Sequence, residues 1–299
     1  MKRTLITGAN GFTGRHLAPL LEAKGHEIHG LAHSSDEVLP TGVHQLHQAD
    51  IADTAALKRI IAYVRPQHVV HLAGIAFVAH DNAAEIYRTN LVGTRELLEA
   101  LASSGIEIES ILLASSANVY GNCRGGTLTE DIPPEPANDY GVSKVAMEYV
   151  ARLYRDRLPI SVVRPFNYIG RDQDCQFLVP KIIAHIRAKA PFVELGNLDV
   201  ARDFSDVRTV VDAYARLLDS SAATGEVFNV CSGHALSLRK LIDTALDLTG
   251  QRLEVRVSPE FVRPNEVAVL CGSPAKIESV IGPLIHVPLE DTLRWMLAD

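Results

Sequence analysis

The chain has 299 residues, 47% hydrophobic and 22% charged, and its 36 acidic and 29 basic side chains leave a formal net charge of −7. That length carries one large domain or two unequal lobes with a sizeable core. The acidic balance, spread without long like-charge runs, excludes nucleic acid or an anionic membrane as the main partner.

Too few apolar residues follow Lys2 and Arg3 for a signal-peptide core, and the most apolar later stretch, "VVHLAGIAFVAH" at 69–80, is too short to span a membrane. Cys123, Cys175, Cys231 and Cys271 lie far apart without a CxxC pair, which reads as reduced thiols in a cytoplasmic enzyme. The twelve histidines contain no HExxH pair, and no metal is expected.

Taken in chain order, "TLIT" at 4–7 reads as a strand and residues 14–25 as a helix ended by Gly25. Residues 27–33 form a second strand, 54–66 a helix with Asp53 as its N-cap, and "HVVHLA" at 68–73 a third strand. A helix over 82–104, a strand over 110–116, a helix over 138–157 and a strand over 160–165 complete the first half. This alternation of helices with continuously apolar strands predicts an α/β fold, a Rossmann-type doubly wound parallel sheet covered on both faces. After Pro165 the rhythm breaks. Helices over 176–190, 206–221, 237–249 and 288–297, with strands over 226–232 and 253–257, predict a smaller C-terminal α/β substrate lobe over the sheet's carboxyl edge. Residues 1–165 with 201–232 are assigned to the dinucleotide-binding domain, and 166–200 with 233–299 to the lobe.

"TGANGFTG" places Gly8, Gly11 and Gly14 in the first βα turn. Small residues there let the backbone approach a pyrophosphate, while the helix N-terminus offers free N–H groups. Asn10, Phe12 and Thr13 complete the expected cofactor contacts of this turn. Enzymes favouring NAD put an acid at the end of the second strand to hold the ribose 2′-hydroxyl. Here Ala32 fills that place, followed by His33, Ser34 and Ser35, so NADP is favoured and NAD is the alternative. Asp50 and Ile51 are the expected adenine contacts, and Leu72, Ala73 and Gly74 the expected backbone contacts.

"YGVSK" sets Tyr140 and Lys144 one helical turn apart on one face. A phenol is ordinarily too weak an acid to work near neutrality, and an adjacent ammonium together with a cationic nicotinamide is expected to lower its pKa. Ser116 ends a strand upstream, in "ASSANVYG" at 114–121.

In combination, these residues resemble the extended short-chain dehydrogenase/reductase family of nucleotide-sugar enzymes over essentially the whole chain. The resemblance implies that Ser116 hydrogen-bonds the sugar oxygen, Tyr140 transfers the proton, and Lys144 orients the cofactor ribose and tunes Tyr140. "RPFNYIG", "GNLDVARDFSDVRTVVDAY", "FNVCSG" and "RPNEV" are similar to the family's GDP-4-keto-6-deoxy-D-mannose reductases, and more loosely to its GDP-mannose 4,6-dehydratases. That similarity implies a GDP-linked sugar held by Asn167, Val179, Arg202, Arg263 and Glu266, with Ser115 and Asn118 beside Ser116. It also implies a homodimer packed through the helices at 90–104 and 138–157. Related reductases commonly read "IGPGQ" where this chain has "IGRDQ" at 169–173, so the loop beside the sugar is expected to be reshaped.

Many sugar-nucleotide dehydratases carry a Thr/Ser-Asp-Glu run in the serine loop. Here Ala117 and Asn118 hold both acidic places. Dehydration needs an acid for the leaving hydroxyl and a base for the carbon-bound proton, and neither residue supplies one. Reduction at C4 needs only a nicotinamide, Tyr140, Lys144 and Ser116. The expected activity is NAD(P)H-dependent reduction of a GDP-4-keto-6-deoxyhexose, of the GDP-D-rhamnose type, with a nucleotide-sugar 4-epimerase as the alternative.

Overall fold

The computed structural model describes residues 1–34, 38–77, 82–121, 126–261 and 268–298. The chain begins with β1 (Lys2–Thr7), α1 (Phe12–Ala23), β2 (His26–Ala32), β3 (Gln45–Gln48), α2 (Thr54–Val64) and β4 (His68–His71). Next come α3 (Ala83–Tyr87), a π-helical turn (Arg88–Gly93), α4 (Thr94–Ala102), β5 (Ser110–Ala114) and the short β6 (Thr127–Leu128). Then α5 (Asp139–Arg152), β7 (Ile160–Pro165), β8 (Asn167–Ile169), α6 (Leu178–Arg187), β9 (Phe192–Leu195), β10 (Ala201–Asp206) and α7 (Val207–Leu218) follow. The last part holds β11 (Val227–Val230), β12 (Ala235–Ser237), α8 (Leu238–Thr249), β13 (Glu254–Val257), β14 (Val269–Gly272), α9 (Ala275–Ile281) and α10 (Leu289–Leu297).

Seven strands form one parallel sheet in the order β11-β7-β5-β4-β1-β2-β3. The order reverses between β1 and β4, and ligands of open α/β sheets lie at the carboxyl ends of the strands beside such a switch. One face of the sheet is covered by α1, α7 and α9, which pack Leu17, Leu21, Val210, Leu217 and Ile277 against Ile6 and Val70. The other is covered by α2, α4 and α5, which pack Leu57, Ile61, Leu97, Leu101 and Met147 against Leu5, Val69 and Ile111. A separate core joins α6, α8, α10 and β9 through Ile182, Ile186, Leu241, Leu293 and Val193. The lobe is tied to the sheet by a second, mixed one, β12-β10-β14-β6, with β8 paired to β10 directly after β7.

Two departures from the sequence pattern bear on function. The helix expected over 82–104 is broken by the π-helical turn, which turns Asn90 inward to 1% exposure. Strand β10 escapes hydrophobic periodicity because its buried positions are polar. Asp203 is fully buried there and accepts N–H bonds from Ser232, Gly233 and Gly272. Cys175, Cys231 and Cys271 are free thiols, while Cys123 lies outside the described residues. Among the described residues, no helix is long and apolar enough to cross a membrane.

Asp53 caps α2 as the sequence predicts, its carboxylate accepting the Ala56 N–H at 3.0 Å. Asp53→Ala should lower the unfolding free energy by about 1 kcal/mol, read as a shifted urea midpoint at unchanged slope.

Candidate active site

β1 delivers the chain into a turn where Gly8 has φ +71°, and a Cβ there would lie 2.8 Å from the Ala73 nitrogen. At Gly14 a Cβ would lie 2.5 Å from the Gly8 carbonyl oxygen, so α1 starts as near the turn as backbone atoms allow. Gly11 N-caps α1 and no side chain caps it in turn, which leaves a bare, electropositive helix end. This cradle fits the pyrophosphate of a dinucleotide. Behind it, Phe12 stacks on Tyr168 at 5.8 Å and the Thr13 hydroxyl meets the Tyr168 hydroxyl at 2.7 Å, which ties α1 to β8. Arg15 donates to the Asn10 carbonyl at 2.7 Å and braces the loop.

At the end of β2, Ala32 is 2% exposed and His33 stands exposed, with Ser35–Glu37 outside the described residues. The Asp50 carboxylate is engaged by the Ala52 N–H at 2.9 Å and the Arg88 guanidinium at 2.6 Å, which hold it below the usual carboxylate range. Ile51 is buried beneath Gly93 of the π-helical turn, so its backbone alone can face a ligand. Leu72 and Ala73 hang on Thr7, by its carbonyl and its hydroxyl, each at 3.1 Å. A Cβ on Gly74 would lie 2.9 Å from Asn90 Oδ1 and 3.5 Å from Lys144 Nζ, so the loop after β4 borders α5.

α5 begins at Asn138, whose side chain accepts the Gly141 N–H at 2.8 Å, and carries Tyr140 and Lys144 inward. Both are buried, as is Ser116. Lys144 Nζ lies 5.9 Å from the centre of the Tyr140 ring and donates to the Ala114 carbonyl at 2.7 Å. Ser116 Oγ accepts the Asn118 backbone and side-chain N–H groups, both at 3.1 Å. With both lone pairs taken, its hydroxyl proton is left to the Tyr140 phenol, to which it is hydrogen-bonded.

The protein's own groups do not by themselves lower the Tyr140 pKa. Burial pushes the phenol up to about 12 against the opposing pull of Ser116. Burial likewise pushes Lys144 down to about 8, with Glu148 pulling the other way. The ammonium addresses the ring and the Ala114 carbonyl, and loss of water outweighs its help to a phenolate.

Two networks missed by the sequence reading support these groups. Glu148, one turn past Lys144 and 3% exposed, receives Arg164 in paired bonds at 2.9 and 2.7 Å, and the Ser115 hydroxyl at 2.6 Å. Arg164 also donates to Tyr120 at 2.9 Å, which donates to Asn229 at 2.7 Å. In the second network, His71 bridges the Thr7 and Thr94 hydroxyls at 2.7 and 2.8 Å. Burial, and then Lys144, lower its pKa to about 3, so it is neutral. Asn90 holds both backbone groups of Ile75 and donates to Ser143 Oγ at 3.0 Å. Helical periodicity could have flagged Glu148, four residues beyond Lys144; nothing in the pattern marks a π insertion.

The expected sugar and nucleotide contacts are placed unevenly. The Ser115 hydroxyl turns into the Glu148 network and away from the cleft. Asn118 holds Ser116, and Ala117 is buried among Val119, Tyr120, Leu128, Phe166 and Cys231. Asn167 is exposed on β8, where it donates to the Asp203 carbonyl at 3.3 Å. Val179 is 1% exposed in the lobe's core, which leaves only its backbone, near the uncapped start of α6, to meet a ligand. Arg202 donates to the Ala201 carbonyl at 2.9 Å. Arg263 and Glu266 lie outside the described residues. Asp172 adopts φ +67°, the conformation that the glycine of "IGPGQ" would take freely, so the backbone at that position needs no glycine.

The family profile described as GDP-mannose 4,6 dehydratase matches residues 5–296, and the chain belongs to this family of extended short-chain dehydrogenase/reductases. The GDP-6-deoxy-D-mannose reductase of Pseudomonas aeruginosa is 33% identical, with 100% of this chain and 97% of the relative covered. The GDP-6-deoxy-D-talose 4-dehydrogenase of Aggregatibacter actinomycetemcomitans is 31% identical over 94% of this chain and 91% of its own. Among solved structures, one from Burkholderia cenocepacia described provisionally as an epimerase has TM-score 0.93 at 44% identity, covering 99% and 97% of the two chains. RMD from Pseudomonas aeruginosa, complexed with NADPH, has TM-score 0.86 at 32% identity, covering 99% and 98%.

Removing one partner of the buried ion pair strands the other. Arg164→Met should cost about 3–5 kcal/mol in urea unfolding, and adding Glu148→Leu should recover part of it. The depressed Lys144 pKa also has a sign. Between pH of about 8 and its ordinary value, the unfolded chain keeps a proton that the folded one has lost, so stability rises with pH there. Wild-type unfolding free energy minus that of Lys144→Met should climb across this window.

Proposed function

We propose that the chain reduces the C4 ketone of a GDP-4-keto-6-deoxyhexose to a GDP-6-deoxyhexose of the GDP-D-rhamnose type, with NADPH as the preferred reductant and NADH as the alternative. The observation that carries this reading is an intact Ser116–Tyr140–Lys144 group beside a dinucleotide cradle, in a loop whose acidic places hold Ala117 and Asn118. Both curated relatives are named for redox chemistry on a GDP-6-deoxyhexose, which supports the substrate class. Bound NADPH in the Pseudomonas structure, and the absence of an acid at Ala32, support the cofactor.

Once bound, the reduced nicotinamide supplies hydride to C4. Tyr140 gives its phenolic proton to the C4 oxygen, so that hydride and proton together convert ketone to alcohol. The Ser116 hydroxyl proton, directed at Tyr140 before the sugar enters, turns to the same oxygen. Lys144, anchored on the Ala114 carbonyl beside Gly74, faces both the phenol and the cofactor loop. A phenol raised to about 12 rests in the protonated form that reduction requires, whereas alcohol oxidation would need it as a base.

The lobe built on α6, α8 and α10 is assigned to the nucleotide-sugar, and residues 1–165 with 201–232 to the dinucleotide. A second copy of the chain is assigned to the apolar stripe that α5 leaves exposed at Val142, Tyr149 and Leu153, with Val92 from the π-helical turn.

The Burkholderia likeness favours a second reading, a 4-epimerase that oxidises and re-reduces the same carbon. Mixing the enzyme with NADPH and enzymatically generated GDP-4-keto-6-deoxymannose should give loss of the reduced-nicotinamide absorbance. Tyr140→Phe should cut kcat by about 10²–10⁴-fold and leave NADPH affinity nearly unchanged. Unchanged kcat would remove Tyr140 from the chemistry. Sugar interconversion by tightly retained cofactor, with no net redox, would replace the reductase with the epimerase.

A further inference from the structure

At the amino-terminal edge of the large sheet, away from the catalytic cleft, three side chains from distant parts of the sequence converge. His26 opens β2, His68 opens β4, and Asp219 follows α7; one ligand atom from each lies within 4.8 Å of the others. The imidazoles are 5% and 1% exposed and their ring centres are 5.4 Å apart. His26 Nδ1 is held by the buried Thr4 hydroxyl at 2.8 Å, which leaves Nε2 free, the arrangement that fixes the tautomer of metal-bound histidines. His68 Nδ1 is buried without a partner, and its Nε2 faces the Lys2 ammonium at 3.3 Å.

Two of the three groups, His68 and Asp219, already gather around a cation, the Lys2 ammonium. Lys2 Nζ lies 3.8 Å from Asp219 Oδ1 and 3.1 Å from Glu109 Oε2, on a side chain 43% exposed and able to swing towards Glu109 alone. Above the cluster, a cavity of about 480 Å³ lined by Met1, Lys2, Lys24, Gly25, His26 and Asp219 gives access from solvent.

We propose that His26, His68 and Asp219 bind one divalent transition cation such as Zn²⁺, with the Lys2 ammonium displaced towards Glu109 and water completing the shell. Two imidazoles and one carboxylate suit a borderline cation such as Zn²⁺ or Co²⁺ over Mg²⁺ or Ca²⁺, which prefer oxygen throughout. A metal bond at His68 Nε2 would replace its contacts with the Lys2 ammonium at 3.3 Å and the Glu109 carboxylate at 3.5 Å. The ion would join β2, β4 and the end of α7, stabilising the fold without entering the redox reaction.

The test uses the 299-residue chain without a histidine tag, stripped by chelator and titrated with Co²⁺ and then Zn²⁺. The expected result is saturable one-to-one binding, a Co²⁺ spectrum without thiolate charge-transfer bands, and a Tm raised by Zn²⁺. Asp219→Asn should weaken binding at least about tenfold, whereas Lys2→Gln, which removes the competing cation, should tighten it. Both positions are at the surface, so these variants fold. Non-saturable uptake, a thiolate band, an unchanged affinity in Asp219→Asn or a weaker one in Lys2→Gln would each overturn the site.

Discussion

The paired contact between Arg164 and Glu148 is the interaction around which the Ser116, Tyr140 and Lys144 group is built. Two charges out of water are tolerated only when their remaining hydrogen-bonding capacity is used. Here Ser115, Tyr120 and, through Tyr120, Asn229 use it. The contact locks α5 to β7 and, through these partners, to the ends of β5 and β11. Ser115 and Ser116 are adjacent at a strand end, so their side chains take opposite directions. Fixing Ser115 inward on Glu148 therefore presents Ser116 to the cleft. Glu148 shares a helix face with Lys144 and Tyr140, so the same contact sets the rotation of α5. One ion pair thus aligns three groups drawn from two elements.

Burial, more than adjacency, decides the charges in this site. Lys144 and Tyr140 are neighbours as their spacing predicts, yet their pKa values move towards the neutral forms of both. His71 is driven the same way, and the buried groups near Lys144 and Tyr140 include neutral hydrogen-bonding ones: His71 between two threonines, Asn90 on Ile75 and Ser143, Ser116 on Asn118. Such groups need little rearrangement as charge develops on a substrate oxygen. They also leave the protonated phenol as the resting state, which matches proton donation better than proton removal.

What the sequence discloses depends on whether a signal is local. The glycines of the first turn, the Asp53 cap and the Tyr140–Lys144 spacing are local, and the structure places each as read. Six of the seven parallel strands follow from apolar runs between helices, while β3 escapes because its half-exposed "QLHQ" has no apolar run. Signals built from distant residues stay hidden. Tyr168 acts by stacking on Phe12, and Arg164 acts on Glu148, contacts that exist only once β7 and β8 lie beside α5 and α1. β10 hides for another reason, since its interior residue is the carboxylate of Asp203. The resemblance implies a sugar contact at Ser115, and strand alternation alone does not say which of two consecutive serines turns inward to Glu148.

The same packing explains why the serine loop does not lie one substitution away from dehydration chemistry. Ala117 is 3% exposed, and its neighbours Val119, Tyr120, Leu128, Phe166 and Cys231 offer a carboxylate no cation. An acid introduced there would hold its proton or force the cluster open, because an unpaired buried charge costs several kcal/mol or more. Asn118 is the more accessible position, but its amide donates to Ser116 Oγ, and a carboxylate would set acceptor against acceptor unless the serine proton turned to it and away from Tyr140. Either change would disturb the donor arrangement that serves Tyr140 before it supplied a useful acid or base. The acid-free loop is therefore coupled to the hydrogen-bond direction of Ser116, and through it to the protonated phenol.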